Sequence, residues 1–270
     1  MPRVILILLF IQIANPASSQ AIQFKKEIKL NFKIDNASID RNGDLFLTTR
    51  SGDVHKYSSG GDSLISYSPS KKARITLIEA WNGLRIFIFF RDIQQYVLLD
   101  RFLRPSAFYS FDPQQILFSG IATIAGDENI WILDPGDFSL KKYNSTSNVV
   151  EFSTPLDLLL PAEDYEITFI KEYQNMLFIV DTNTGVYVMD NMGNFQRQIP
   201  IKNLNHIGFS ANQMYFLNDN NISIFEIYNG STGRITIPPE VEIDPEFVLM
   251  GEQNIFLMAE NRLLIFELID

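Results

Sequence analysis

The chain has 270 residues, 46% hydrophobic and 13% aromatic, a formal net charge of −10 and no cysteine. This apolar content excludes intrinsic disorder, and an acidic chain without a basic stripe excludes nucleic acid as a partner. Stability without disulfides must come from packing, which requires a large domain with a substantial core.

Arg3 precedes an apolar run, Val4 to Ile13, and then a small and polar exit, Asn15 to Ala21. A basic start, about ten apolar residues and a small-residue exit predict a secretory signal peptide over residues 1–20, cleaved after Ser19 or Ala21. The run is shorter than the about 20 apolar residues of a membrane span, and a retained anchor is the alternative. No cysteine follows it, so a bacterial lipoprotein anchor is excluded. Residues 21–270 are expected to form a single domain, because no Pro/Gly/Ser-rich or charge-rich linker interrupts the apolar pattern. A cysteine-free exported chain reads as bacterial, hence periplasmic or secreted. Sequons at Asn36, Asn144, Asn221 and Asn229 follow from an Asn-rich composition.

Ile22 to Phe32 alternates apolar and polar residues and predicts a first strand. One phrase then recurs six times: an apolar run, a short polar turn and a second alternating run. The copies start near Gly43, Leu84, Glu128, Asn175, Asn212 and Gln253. An aromatic marks each first run: Phe46, Phe87, Trp131, Phe178, Phe216 and Phe256, at steps of 41, 44, 47, 38 and 40 residues. Ahead of each copy lies a predicted inner strand, roughly 34–39, 74–80, 121–125, 166–171, 206–210 and 247–250. After the first five lies a predicted outer strand, roughly 64–67, 107–111, 149–152, 195–199 and 234–237. Repeats of 40–50 residues with this content predict an all-β, six-bladed β-propeller of four-stranded antiparallel blades. The sixth copy ends at Leu268 without an outer strand, so the N-terminal strand is expected to complete the last blade and close the ring.

In this blade pattern the chain resembles six-bladed propellers of the NHL, YncE-like and gluconolactonase-like kinds, over about 240 residues. The last resemblance implies a hydrolase with a metal held by Glu, Asn and Asp in the central channel. The inner strands offer Asp35, Glu79, Glu166, Lys171 and His206, read as lying at different depths with no shared position. The turns between second and third strands are expected around one channel mouth. They carry Asp134, Asp181 and Asp219, with Asp137 and Glu260, and a ring of carboxylates could hold calcium. Tight hairpins also select Asp, Asn and Gly for conformation alone.

No Cys nucleophile, histidine cluster, Gly-x-Ser-x-Gly elbow or phosphate-binding loop occurs. His55 is read as solvent-facing and His206 as a hydrogen-bonded group near the channel. Two departures from the repeat are candidate partner-binding segments: Leu156, Leu158, Leu159 and Leu160 between prolines, and Phe108 with Tyr109 in an aromatic-rich stretch. The bland reading of both is gap-filling against neighbouring blades. The pairs Lys25-Lys26, Lys71-Lys72 and Lys141-Lys142 read as solvated edges. The leading expectation is an exported, non-catalytic propeller acting as a protein-binding scaffold or accessory subunit in the bacterial envelope. Its partner would be another envelope or secreted protein, with membrane association only through that partner and no cofactor. The alternatives are a metal-dependent, lactonase-like hydrolase and a small-ligand or glycan binder.

Overall fold

The computed structural model describes residues 19–81, 83–160 and 164–269. Residues 1–18, the bulk of the expected signal segment, lie outside the described residues. The first strand, β1 (Ser19–Lys29), is followed by six antiparallel repeats. Blade one is β2 (Asn36–Ile39), β3 (Leu45–Thr48), β4 (Val54–Tyr57) and β5 (Ser63–Tyr67); blade two is β6 (Leu77–Glu79), β7 (Arg85–Phe90), β8 (Gln95–Asp100) and β9 (Pro105–Ser110). Blade three is β10 (Ile121–Ile124), β11 (Ile130–Asp134), β12 (Ser139–Asn144) and β13 (Val149–Pro155); blade four is β14 (Ile167–Tyr173), β15 (Met176–Asp181), β16 (Gly185–Asp190) and β17 (Phe195–Ile199). Blade five is β18 (Gly208–Ser210), β19 (Gln213–Asn218), β20 (Asn221–Glu226) and β21 (Thr232–Thr236), and β22 (Phe247–Met250), β23 (Asn254–Ala259) and β24 (Arg262–Ile269) begin blade six.

β1 completes blade six. It runs antiparallel to β24, from Ala21 opposite Ile269 to Lys29 opposite Arg262. It starts three residues earlier than its alternation predicts, because Ser19 and Gln20 also pair in parallel with Arg234 and Ile235 of β21. Blades five and six thereby share one eight-stranded sheet. A 3-10 turn, Arg91–Ile93, is the one helical element among the described residues, and none there is long and apolar enough to cross a membrane.

The apolar patterning follows from the ring. Each second strand is sandwiched between two neighbouring blades, so both of its faces are covered and it reads as a continuous apolar run. Every residue of β3 and β11 is buried, whereas the outermost strand β13 alternates and β5 is mostly exposed. The core is a series of wedges between adjacent blades. Phe46, Phe87, Trp131, Phe178 and Phe256 fill these wedges, each at most 1% exposed. Burying such a ring removes enough apolar surface to contribute roughly 1.5–3 kcal/mol apiece. Blade five departs from the expected spacing. Tyr215 sits opposite Gly208, in the register of the other five aromatics, while Phe216 faces the wedge toward blade four.

Two faces result. The crossover face carries the links from each outer strand to the next inner strand and the turns between second and third strands. Thr182 N–H bonds Glu166 O and Asn203 N–H bonds Thr182 O, tying turn to crossover. The hairpin face carries the remaining turns, several built on an aspartate that accepts two backbone N–H bonds, as Asp40, Asp100 and Asp190 do.

Candidate functional site: the central channel and its mouths

Strand register lines up six positions around the axis: Ser38, Glu79, Thr123, Lys171, Gly208 and Leu249, opposite Phe46, Phe87, Trp131, Phe178, Tyr215 and Phe256. Glu79 and Lys171 thus share one position of the repeat, which corrects their expected separation in depth. Lys171 Nζ donates to Glu79 Oε1 at 2.8 Å, reaching from blade four to blade two past blade three. Thr123 Oγ1 donates to Glu79 Oε2 at 2.5 Å. The carboxylate is 6% exposed and both its oxygens are engaged. Such a buried pair is expensive to break, because either partner alone would be an uncompensated charge.

Two residues earlier on neighbouring inner strands, the axis is aromatic. The His206 ring stands edge-on to Phe169 at 4.5 Å and to Phe247 at 6.1 Å. Burial, and then the positive charge of Lys171, lower the His206 pKa to about 4, so the imidazole is neutral at physiological pH. Toward the hairpin face, Trp81 and Tyr173 meet edge to face at 5.4 Å. The Arg41 guanidinium lies 5.4 Å from the Trp81 ring centroid. The channel is therefore two vestibules around a neck of about 40 Å³. The crossover vestibule, about 390 Å³, is lined by Asn36, Thr76, Thr168, Asn205, His206 and Phe247 among others. The hairpin vestibule, about 490 Å³, is lined by Arg41, Glu79, Trp81, Glu128, Glu172 and Tyr173 among others. Glu172 is engaged by Trp131 Nε1 at 2.6 Å and Gly126 N–H at 2.8 Å. Chemically, the neck offers saturated acceptors and one neutral imidazole, and the Thr123 hydroxyl is fully buried.

The carboxylates expected at a mouth do not converge. Asp134 is buried and accepts from the N–H groups of Leu117, Phe118 and Gly136 and from Lys141 Nζ, at 2.8–3.0 Å. Asp181 is buried and accepts from Glu166 N–H at 2.7 Å and from the Thr184 hydroxyl. Asp219 is exposed at a left-handed turn position, φ 50. Asp35 pairs with Arg74 at 2.8 Å. Among the described residues, no three His, Cys, Asp or Glu side chains gather as a metal cradle. Asp134 and Asp181 brace turns instead.

The leucine segment divides sharply. Leu156 and Leu160 are core residues, 1% and 3% exposed, and Leu159 packs against the same cluster, which corrects their assignment to a partner surface. The N–H groups of Leu159 and Leu160 bond Leu156 O, closing a tight turn. Positions i and i+4 share a face of such a turn, so Leu156 and Leu160 turn inward. Leu158 projects outward and is 91% exposed. Phe108 packs into the wedge between blades one and two, 5.9 Å from Phe90, which again corrects an expected contact residue. Tyr109 is 41% exposed and stacks on Tyr96 at 5.3 Å.

Sequence reasoning missed three features. Lys141 and Lys142 are buried rather than solvated, because β12 is covered on both faces. Lys141 pairs with Asp134 and Asp137 at 2.8 and 2.7 Å. Lys142 pairs with Asp127 at 2.7 Å and lies over the Trp131 ring. His55 stacks on Phe32 at 4.1 Å instead of facing solvent alone. The signal for Lys141 was available in Asp134 and Asp137, seven and four residues before it.

No protein-family model matches the sequence, and no curated protein does. Solved structures do match along nearly the whole chain. Virginiamycin B lyase from Staphylococcus aureus is 12% identical, with 92% of this chain and 100% of that chain covered and a TM-score of 0.63. The chain is a six-bladed β-propeller. The β-propeller domain of Swd1 from Myceliophteria thermophila is similar at 11% identity, 92% and 100% coverage and a TM-score of 0.65. BamB from Moraxella catarrhalis is similar at 8% identity, 91% and 99% coverage and a TM-score of 0.53. At these identities the likeness is one of fold, and the propeller serves a lyase in one case and other proteins in the rest.

Proposed function

We propose that the chain is an exported, non-catalytic propeller that binds another protein, as a scaffold or accessory subunit of the bacterial envelope or outside the cell. The observation that carries this reading is Leu158. It is 91% exposed on a turn whose flanks, Leu156 and Leu160, are locked in the core. A leucine held rigidly in solvent gains nothing within the chain, whereas burial in a partner would contribute about 1.5–3 kcal/mol. Preorganisation means that little entropy is lost on docking. Leu117, 61% exposed, flanks the same region: its Cβ lies 2.7 Å from where a side chain on Gly136 would begin, and Leu156 N–H bonds Phe138 O. Export rests on the pattern of residues 1–21, and association with a membrane would run through the partner.

The test is crosslinking and co-purification of the native protein beside Leu158→Asp and Leu158→Ala, with far-UV circular dichroism as the fold control. The expected result is one specific partner whose recovery falls at least tenfold with Leu158→Asp and less with Leu158→Ala. Equal recovery by all three proteins would overturn the reading.

A further inference from the structure

A second surface lies on the hairpin face, where blades one and two meet. A groove of about 770 Å³ is lined by Leu64 and Ile65 of β5, Leu84 ahead of β7, and Phe102 in the turn after β8. These four side chains are 40–68% exposed. Scattered apolar residues need no explanation, but four lining one concavity make a candidate contact surface. The groove is also cationic, in a chain of net charge −10. Arg41, Lys56 and Arg101 line it, and the guanidinium groups of Arg101 and Arg104 lie 4.7 and 5.2 Å from the Phe102 ring centroid.

The charge balance separates these cations. Lys56 is neutralised by Asp44 at 2.8 Å and Arg104 by Asp100 at 2.7 Å. Arg41 and Arg101 form no ion pair with a carboxylate among the described residues. Asp40, buried beside the groove and not lining it, stands 4.0 Å from Lys56 Nζ and adds to the neutralisation of that lysine.

We propose that this groove binds an extended peptide segment of a partner protein that alternates apolar and acidic side chains. Its apolar side chains cover Leu64, Ile65, Leu84 and Phe102, and its carboxylates pair with Arg41 and Arg101. A concave site favours a chain segment over a flat lipid surface, and arginine forks match carboxylates in two-point contacts. The inference rests on the protein-binding reading but on a different surface from Leu158.

The experiment selects peptides from a displayed random dodecamer library on the intact protein. The best peptide is then measured by fluorescence anisotropy at 50 and 300 mM salt. The expected peptides are rich in Asp or Glu beside Leu or Phe. Their affinity falls at least tenfold with Arg41→Glu/Arg101→Glu and with Leu84→Asp, weakens with salt, and is unchanged by Leu158→Asp. Arg41→Gln/Arg101→Gln gives a smaller loss, and thermal unfolding confirms that each variant is folded. Selection of basic or neutral peptides, or affinity indifferent to both arginines, would overturn the proposal. So would phosphatidylglycerol vesicles binding with the same arginine dependence, since the groove would then be a lipid site. Loss of partner capture by Leu158→Asp with peptide binding intact would separate the two surfaces.

Discussion

Removing the Asp134 carboxylate tests whether the aspartates of the repeated turns are structural braces. Asp134 is fully buried, and Lys141 beside it is 6% exposed in its side chain. Asp134→Ala leaves the N–H groups of Leu117, Phe118 and Gly136 without their acceptor and Lys141 with Asp137 and Gln115 O alone. Breaking a buried ion pair from one side costs about 3–5 kcal/mol. Asp137 is half-exposed and still compensates part of the charge, which favours the lower end, while the stranded N–H groups add about 1–3 kcal/mol. A total of about 4 kcal/mol corresponds to a fall in Tm of roughly 8–16 °C for a domain of this size. The assay is urea unfolding of Asp134→Ala, Lys141→Met and the double variant. The double variant is expected to be less destabilised than the two singles together, by about 2 kcal/mol, because it buries no orphan charge. A loss below about 1 kcal/mol for Asp134→Ala, or strict additivity, would refute the brace. Calcium that raised the Tm of the native protein but not of Asp134→Ala would make the carboxylate a ligand instead.

Two further outcomes are expected. A Cβ on Gly208 would lie 2.1 Å from Tyr215 Cζ, and the Tyr215 hydroxyl accepts from Met250 N–H at 3.0 Å in the next blade. Gly208→Ala should therefore cost about 3 kcal/mol by urea unfolding, through overpacking and a lost buried hydrogen bond, and adding Tyr215→Val should recover part of it. A clean accommodation of alanine would show that the ring moves freely. The His206 pKa is lowered to about 4 by burial and then by Lys171, against 6.5 for the ordinary value. The unfolded chain thus takes up a proton that the folded chain refuses, so stability is complete above about pH 6.5 and falls as pH drops toward 4. The loss is up to about 3 kcal/mol. The difference in unfolding free energy between the native protein and His206→Asn, followed from pH 7.5 to 4.5, should shrink with acid; a constant difference would remove the burial argument.

The fold was legible because the ring imposes a local rule. Each second strand must be apolar on both faces, and Phe46, Phe87, Trp131, Phe178 and Phe256 declare that rule without any neighbour being known. Tyr215 and Phe216 show its limit. Two adjacent aromatics both satisfy the pattern, and only the bare backbone of Gly208 opposite Tyr215 decides which belongs to the repeat. The leucine segment was half legible: spacing alone implies that Leu156 and Leu160 share a face, but not that the face is inward. The channel pair was hidden for a different reason. Glu79 and Lys171 lie 92 residues apart, and their meeting depends on strand register carried through three blades. The buried lysines were hidden because a charge on a strand reads as solvent-facing until its covering blade and its aspartates are placed.

Ring closure has a temporal side. Glu27 of β1 holds Arg262 of β24 across 235 residues of chain, with Nε to Oε1 at 2.7 Å. At a synthesis rate of about 5–20 residues per second, β1 waits roughly 10–50 s for the strand it must clasp. Over that interval its apolar residues Ile22 and Ile28, and later the uncovered edge of β24, have no native partner. Blades one to five can each pair their own four strands as they emerge, so local folding runs ahead of closure. The clasp between the first strand and the last spans the longest stretch of chain in the ring, and closure is expected to follow the local folding of the blades.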